Sequence, residues 1–201
     1  MRCYILALLM LTSLFSVGCI TSSISDDQDN TNENFEDFPL NVIFPTLGRD
    51  VDITTNYNLL DQANNRSTLI LWAGAGCSGC HDWTQMLRSE LENGNISNDS
   101  HIVTIHRYPK FESTTQIYNV YGNESSNEYA PWPILMPQDG AFVWNAETGD
   151  LTDVKLTDAF DNPVTPTLQI IDSDGFLIWQ SRTYWADTNV IAEISTVLNM
   201  L

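Results

Sequence analysis

The sequence predicts a mixed α/β fold: one central mixed sheet with helices on both faces. Three observations lead there. An apolar run, Ser67 to Trp72, is followed after a short loop by an amphipathic stretch, His81 to Leu91. Two more apolar runs, Leu168 to Asp172 and Phe176 to Gln180, flank Ser173-Asp174-Gly175 and read as a hairpin. The C-terminal segment then places Val190, Ile191, Ile194, Val197, Leu198 and Leu201 on one helical stripe, with Asp187 or Thr188 as its cap.

The remaining elements follow from local pattern. Leu40 to Phe44 and Val51 to Ile53 flank Gly48, which predicts a hairpin. Asn58 to Ala63 predicts a short helix. Ser67 to Trp72 is apolar at almost every position, as expected of a central strand covered on both faces. In the helix that follows, Trp83, Met86, Leu87 and Leu91 recur at helical spacing, and Asn93-Gly94 ends it. His101 to Arg107 is the next strand, and Ser113 to Tyr121 a weaker helix. Residues 122–150 are rich in Asn, Pro, Gly and Trp; they read as an inserted loop region with a short strand at Ile134-Leu135. Thr152 to Phe160 is expected to be helical.

Charge narrows the function. Eight Lys and Arg stand against 26 Asp and Glu, a net charge of −18, which argues against nucleic-acid binding. The N-terminus carries a targeting pattern: Arg2, then the apolar Tyr4 to Val17, then Gly18-Cys19. The apolar stretch suits a signal segment better than a membrane span. A small residue before cysteine here resembles a lipoprotein signal, in which Cys19 becomes the lipidated first residue; Ser16 stands where a bacterial lipobox usually has Leu. An uncleaved anchor is the alternative. Residues 1–19 are thus expected to export the chain and tether it to the outer face of the cytoplasmic membrane, in the cell envelope. Residues 20–38 read as a disordered acidic spacer, and residues 39–201 as the folded domain.

The chain has four cysteines. Cys3 lies in the targeting segment and Cys19 is the lipid acceptor, so the domain keeps Cys77 and Cys80. A bridge between them closes a tiny loop and restrains the unfolded chain very little, so a structural staple is a poor explanation. The pair sits where a strand hands over to a helix. A helix N-terminus favours negative charge and lowers the pKa of a thiol placed there. A strand that delivers Cys77-Ser78-Gly79-Cys80 to a helix start is therefore suited to redox chemistry.

A second feature is Val164-Thr165-Pro166-Thr167, immediately before the strand Leu168 to Asp172. Together, Trp72-Ala73, Cys77-Ser78-Gly79-Cys80, Thr165-Pro166-Thr167 and Ile170-Ile171-Asp172-Ser173-Asp174-Gly175 resemble the thioredoxin superfamily. Within it they resemble the membrane-anchored TlpA-like thiol–disulfide oxidoreductases. The resemblance spans about residues 39–201. It implies a thioredoxin-like fold, a redox-active disulfide between Cys77 and Cys80, and a cis Pro166 facing that pair. It also implies that the Thr165 backbone binds the substrate protein.

There are departures from the family pattern. Gly76 replaces an aromatic residue before the first cysteine, so the Gly74-Ala75-Gly76 loop is expected to be longer or more open. No proline lies between the cysteines. Trp83 stands where a helix carboxylate often lies, and Asp82 is about 100° away around the helix.

Cys77-x-x-Cys80-His81 also matches a c-type haem attachment motif, with Met86 or Met136 as axial ligand. A copper-handling protein using Cys77, Cys80 and a distant histidine is a further alternative. His101 and His106 lie five apart on one strand and face opposite sides, which disfavours a shared metal site. The reading that uses both Cys77–Cys80 and Pro166 is an exported, membrane-tethered thiol–disulfide oxidoreductase. Cys77 attacks and Cys80 resolves. Its expected partners are exported proteins bearing thiols or disulfides, with no cofactor and no metal.

Overall fold

The computed structural model describes residues 38–199. The targeting segment 1–19 with Cys19, the spacer up to residue 37, and Leu201 lie outside the described residues. Among the described residues, no helix is long and apolar enough to cross a membrane.

Strand β4 (Thr68–Ala73) is the centre of the molecule, and all six of its residues are buried. Successive side chains point to opposite faces of a strand. Leu69, Leu71 and Ala73 join one apolar core, while Ile70 and Trp72 join the other. β4 runs parallel to β5 (His101–His106) and antiparallel to β9 (Thr167–Ile171). β10 (Leu177–Ser181) and β6 (Ile134–Leu135) close the edges, giving a five-stranded mixed sheet in the order β10-β9-β4-β5-β6.

Long helices cover one face. α2 (Ser78–Glu92) supplies Trp83 and Leu87; α5 (Thr188–Asn199) supplies Val190, Ile191 and Ile194. The Asp187 carboxylate caps α5 by accepting from the Asn189 amide at 2.7 Å. The short α3 (Thr114–Ile117) adds Ile117 to the same core and continues into a wide turn over Tyr118–Gly122.

The opposite face is covered by two short helices, α1 (Leu59–Ala63) and α4 (Leu156–Ala159), and by a three-stranded sheet. That sheet comprises β1 (Leu40–Asn41), β7 (Phe142–Asn145) and β8 (Leu151–Lys155). The β9–β10 turn follows from its sequence: the Asp172 carboxylate accepts from the amides of Asp174, Gly175 and Phe176 at 3.0, 2.9 and 2.8 Å. Gly175 has φ +101°, and a Cβ there would strike the Leu40 backbone, so only glycine fits.

Three predicted elements differ. The N-terminal hairpin exists, but β2 (Ile43–Pro45) pairs with β3 (Asn56–Asn58) rather than with Val51 to Ile53. Asp50–Asp52 form a tight helical turn instead, because the Asp52 carboxylate bonds back to the Arg49 amide at 2.8 Å. Residues 122–150 contribute β7 as well as β6. Thr152 to Phe160 begins as strand β8 and becomes helical only at Leu156, because β7 offers an antiparallel partner.

His101 is buried at the start of β5, held by the Tyr57 hydroxyl and Thr68 Oγ1, each at 2.7 Å. Burial, aided by the nearby Arg66 charge, lowers its pKa to about 4 and keeps the ring neutral.

The turn at Asp50–Asp52 fastens the first loop to the insertion. Arg49 donates to the carbonyls of Tyr121, Ala130 and Trp132, and pairs with Asp52 at 2.7 Å. Asp52 is fully buried and also accepts from the Ile134 amide at 3.2 Å. Removing one partner of a buried pair leaves the other charge uncompensated. Asp52→Ala is therefore expected to cost about 3–5 kcal/mol, read by urea denaturation. A loss below about 1 kcal/mol would contradict this role.

Candidate functional site

The site forms where β4 ends. The Arg107 amide still bonds to the Ala73 carbonyl at 2.9 Å, and then the chain turns through Gly74-Ala75-Gly76. This loop was expected to be open; it is held on several sides. The Tyr121 hydroxyl donates to the Gly74 carbonyl at 2.8 Å. The Glu112 carboxylate accepts from the amides of Ala75 and Gly76 at 2.9 and 3.1 Å. His81 Nε2 donates to the Ala75 carbonyl at 2.8 Å.

Cys77 is the N-cap of α2, with extended φ and ψ of −94° and 101°, and its Sγ accepts from the Cys80 amide at 3.1 Å. A sulfur thus takes the place of a capping oxygen, at the helix end that favours negative charge. Cys77 and Cys80 form a disulfide with Cα atoms 5.2 Å apart. They are not equivalent. Cys77 is half-buried, while Cys80 is fully buried against the apolar core, its sulfur 3.9 Å from the Trp72 carbonyl.

Pro166 lies against the same helix end. The Thr165–Pro166 bond is cis, as the resemblance implied. A Cβ on Gly79 would sit 3.1 Å from Pro166 Cδ, so the proline packs on the turn between the cysteines. Thr165 is half-buried and its hydroxyl donates to Tyr108 Oη at 3.3 Å. The predicted residues Cys77, Cys80, Thr165 and Pro166 are therefore brought together; Cys19 lies outside the described residues.

Sequence reasoning missed the other wall. Residues 183–186 cross the start of α2. Trp83 Nε1 donates to the Thr183 carbonyl at 2.8 Å, and the Ala186 amide donates to Asp82 at 2.9 Å. Asp82 and Trp83 thus anchor this loop. Tyr184 and Trp185 pack edge to face with ring centres 4.9 Å apart, and Trp185 is 60% exposed. An exposed Tyr-Trp pair between a hairpin and a helix was the available signal.

His106 and Glu112 were also missed as neighbours. His106 Nε2 donates to Glu112 Oε2 at 3.1 Å. Burial lowers the His106 pKa, and Glu112 offsets this only in part, so the ring is neutral and its Nδ1 is buried without a partner. Burial raises the Tyr121 pKa, which keeps that hydroxyl a donor.

The haem and copper alternatives fit these surroundings less well. His81, the last residue of the haem-attachment motif, has its Nε2 committed to the Ala75 carbonyl. His101 sits at the far end of β5 from the cysteines, and His106 is committed to Glu112. Among the described residues, no three His, Cys, Asp or Glu side chains converge as a metal-holding group.

Gly79 is the position most constrained by packing. A Cβ there would collide with the Tyr184 carbonyl and press on Pro166. Gly79→Ala is expected to displace the loop 183–186 and cost about 1–3 kcal/mol, measured by denaturation of the oxidised protein. Ser78→Ala, at an exposed neighbour, is expected to change stability by less than about 0.5 kcal/mol. Equal effects of the two would show that the loop does not press on Gly79.

No known family profile matches this sequence, and neither does any curated protein sequence. Solved structures do match. The exposed lipoprotein thioredoxin of Streptococcus pneumoniae superposes with a TM-score of 0.52 at 15% identity, covering 80% of this chain and 99% of that one. The thioredoxin domain of a thiol–disulfide oxidoreductase from Bacteroides vulgatus gives 0.53 at 12% identity, covering 81% and 96%. A secreted disulfide oxidoreductase of Mycobacterium tuberculosis, described as homologous to E. coli DsbE, gives 0.51 at 12%, covering 80% and 96%. This chain has a thioredoxin-like fold.

Proposed function

We propose that this chain is a thiol–disulfide oxidoreductase that exchanges its Cys77–Cys80 pair with partner proteins. The observation that carries the reading is the asymmetry at the start of α2. The outer cysteine caps the helix and is only half-buried; the inner cysteine is fully buried. Pro166 beside that turn supports it, as does the likeness to thioredoxins and disulfide oxidoreductases.

The chemistry follows from this asymmetry. Starting from the dithiol, Cys77 loses a proton and its thiolate attacks one sulfur of a partner disulfide. A mixed S–S bond forms as the partner's S–S bond breaks, and the displaced partner thiolate takes up a proton. Cys80 then loses its proton and attacks Cys77 Sγ. The mixed bond breaks, and the second partner thiolate leaves and is protonated. Two electrons and two protons have moved to the partner; the reverse sequence oxidises one. Thr165, directly before the proline that packs on the Cys77–Cys80 turn, offers backbone for an extended partner segment. The exposed Val164 and the Tyr184–Trp185 pair give its approach apolar walls.

We place the domain in the cell envelope, in the TlpA-like group, tethered through lipidated Cys19 or an uncleaved N-terminal segment. That placement rests on Arg2, the apolar run to Val17 and Gly18-Cys19. A lipoprotein and a secreted protein among the similar structures support it. The partners are then exported proteins with thiols or disulfides.

Cys80→Ser is expected to accumulate mixed disulfides with exported proteins, because attack by Cys77 remains while resolution is lost. Cys77→Ser is expected to accumulate none. Non-reducing electrophoresis of cell-envelope extracts, with and without dithiothreitol, reads the difference. Absence of reducible adducts in both variants would sink exchange with protein partners.

A further inference from the structure

Glu112 is held rigidly on both sides. It ends a tight turn in which the amides of Phe111 and Glu112 both bond to the Tyr108 carbonyl, at 2.9 and 3.0 Å. Ser113 directly after it caps α3. From this position the carboxylate reaches back to the cysteine loop. Oε2 accepts from the Ala75 amide and from His106 Nε2; Oε1 accepts from the Gly76 amide. The side chain is 15% exposed. Gly74 makes room for it: a Cβ there would lie 3.2 and 3.3 Å from the two carboxylate oxygens.

The charge balance around this carboxylate is unusual. Among the described residues, neither Lys nor Arg pairs with it; its one imidazole partner, His106, is kept neutral by burial. Lys110, the nearest cation in sequence, is exposed and forms no ion pair with it, and Arg107 is turned to the Pro163 carbonyl and Asn162. The other groups facing the loop are the Tyr108 ring, the Tyr121 hydroxyl and His81, while Asp82 faces the loop 183–186. A carboxylate with no Lys or Arg ion-pair partner among the described residues therefore sits on the amide of the residue before Cys77.

Two effects then oppose each other at Cys77 Sγ. The helix N-terminus favours a thiolate there, and the neighbouring carboxylate disfavours it. The disulfide carries no charge at this sulfur, so the carboxylate acts only against the reduced, ionised form. Whatever destabilises the thiolate makes the dithiol a better electron donor.

We propose that Glu112 is a positioning residue that fixes the loop before Cys77 and, by its charge, biases the pair toward reducing its partners. The proposal rests on the reading of Cys77 as the attacking thiolate, and it adds the direction of electron flow.

The test is a titration of the reduced protein, following thiolate absorbance at 240 nm, in wild type and in Glu112→Gln. Glutamine keeps the shape and an acceptor oxygen but removes the charge. The Cys77 midpoint is expected to fall by about 0.5–1 pH unit, a roughly threefold to tenfold rise in the thiolate-to-thiol ratio at a given pH. The equilibrium with glutathione should shift toward the dithiol as well, by a smaller factor, because only the ionised fraction of Cys77 feels the carboxylate. If Glu112 merely ordered the loop, its loss would loosen Cys77 from the helix end, leaving the midpoint unchanged or raised. Either of those results overturns the proposal. Wild type provides a second reading that needs no variant. Its midpoint is expected at roughly 7–8.5, and a value near 3.5, as in the strongest oxidants, would overturn the proposal as well. If wild-type Cys77 and Cys80 fail to cycle between disulfide and dithiol at all, the oxidoreductase reading falls, independently of Glu112.

Discussion

Strand β4 has no face toward solvent, and the site follows from that. Because both faces are buried, its partners must be strands whose pairing satisfies every backbone group. β5 pairs in parallel, and β9 antiparallel with Trp72 opposite Thr167. Antiparallel pairing sets the beginning of β9 beside the end of β4. Pro166, one residue before Thr167, must then lie near the point where the chain leaves β4 for α2. The cysteines and the cis-proline meet through strand register, without any direct bond being needed to bring them together.

The helix start is then shaped by what crosses it. On one side Pro166 packs on Gly79; on the other the Tyr184 carbonyl does. The turn between the cysteines is left only the volume of a glycine. Trp83 and Asp82 hold the second wall in place by hydrogen bonds to Thr183 and Ala186. Asp82 and Trp83 thus have a physical task of their own on this helix. In the Gly74-Ala75-Gly76 loop, Gly74 leaves room for the Glu112 carboxylate.

Much of this was legible in the sequence, for identifiable reasons. β4 and the β9–β10 hairpin carry continuous apolar runs, α2 and α5 carry helical patterns, and each was placed to within about three residues of its position. Cys77, Cys80 and Pro166 announce themselves by motif. What was not legible depends on partners distant in the chain. Val51 to Ile53 looks like a strand until Arg49 and Asp52 are seen to bury a charge pair against Tyr121, Ala130 and Trp132. Thr152 to Lys155 has helix-compatible spacing, and only β7 makes it a strand. Glu112 sits in a polar stretch with nothing to distinguish it, and its partners Ala75 and Gly76 lie 37 and 36 residues upstream. Trp83 finds Thr183 at a separation of 100 residues. Local pattern reveals elements; it carries no information about which polar groups meet across them.

The central claim is that Cys77 and Cys80 form one reversible redox couple rather than a fixed bridge. The most direct measurement is an equilibrium titration of the purified chain in glutathione buffers of graded ratio. Alkylation then traps free thiols, and the mass of the Cys77–Cys80 peptide is read. The account predicts a single transition in which both sulfurs gain or lose their label together, with the slope of a two-electron couple, reached equally from the oxidised and reduced sides. A peptide that stays disulfide-bonded across the whole range, or that labels at one sulfur independently of the other, would contradict it.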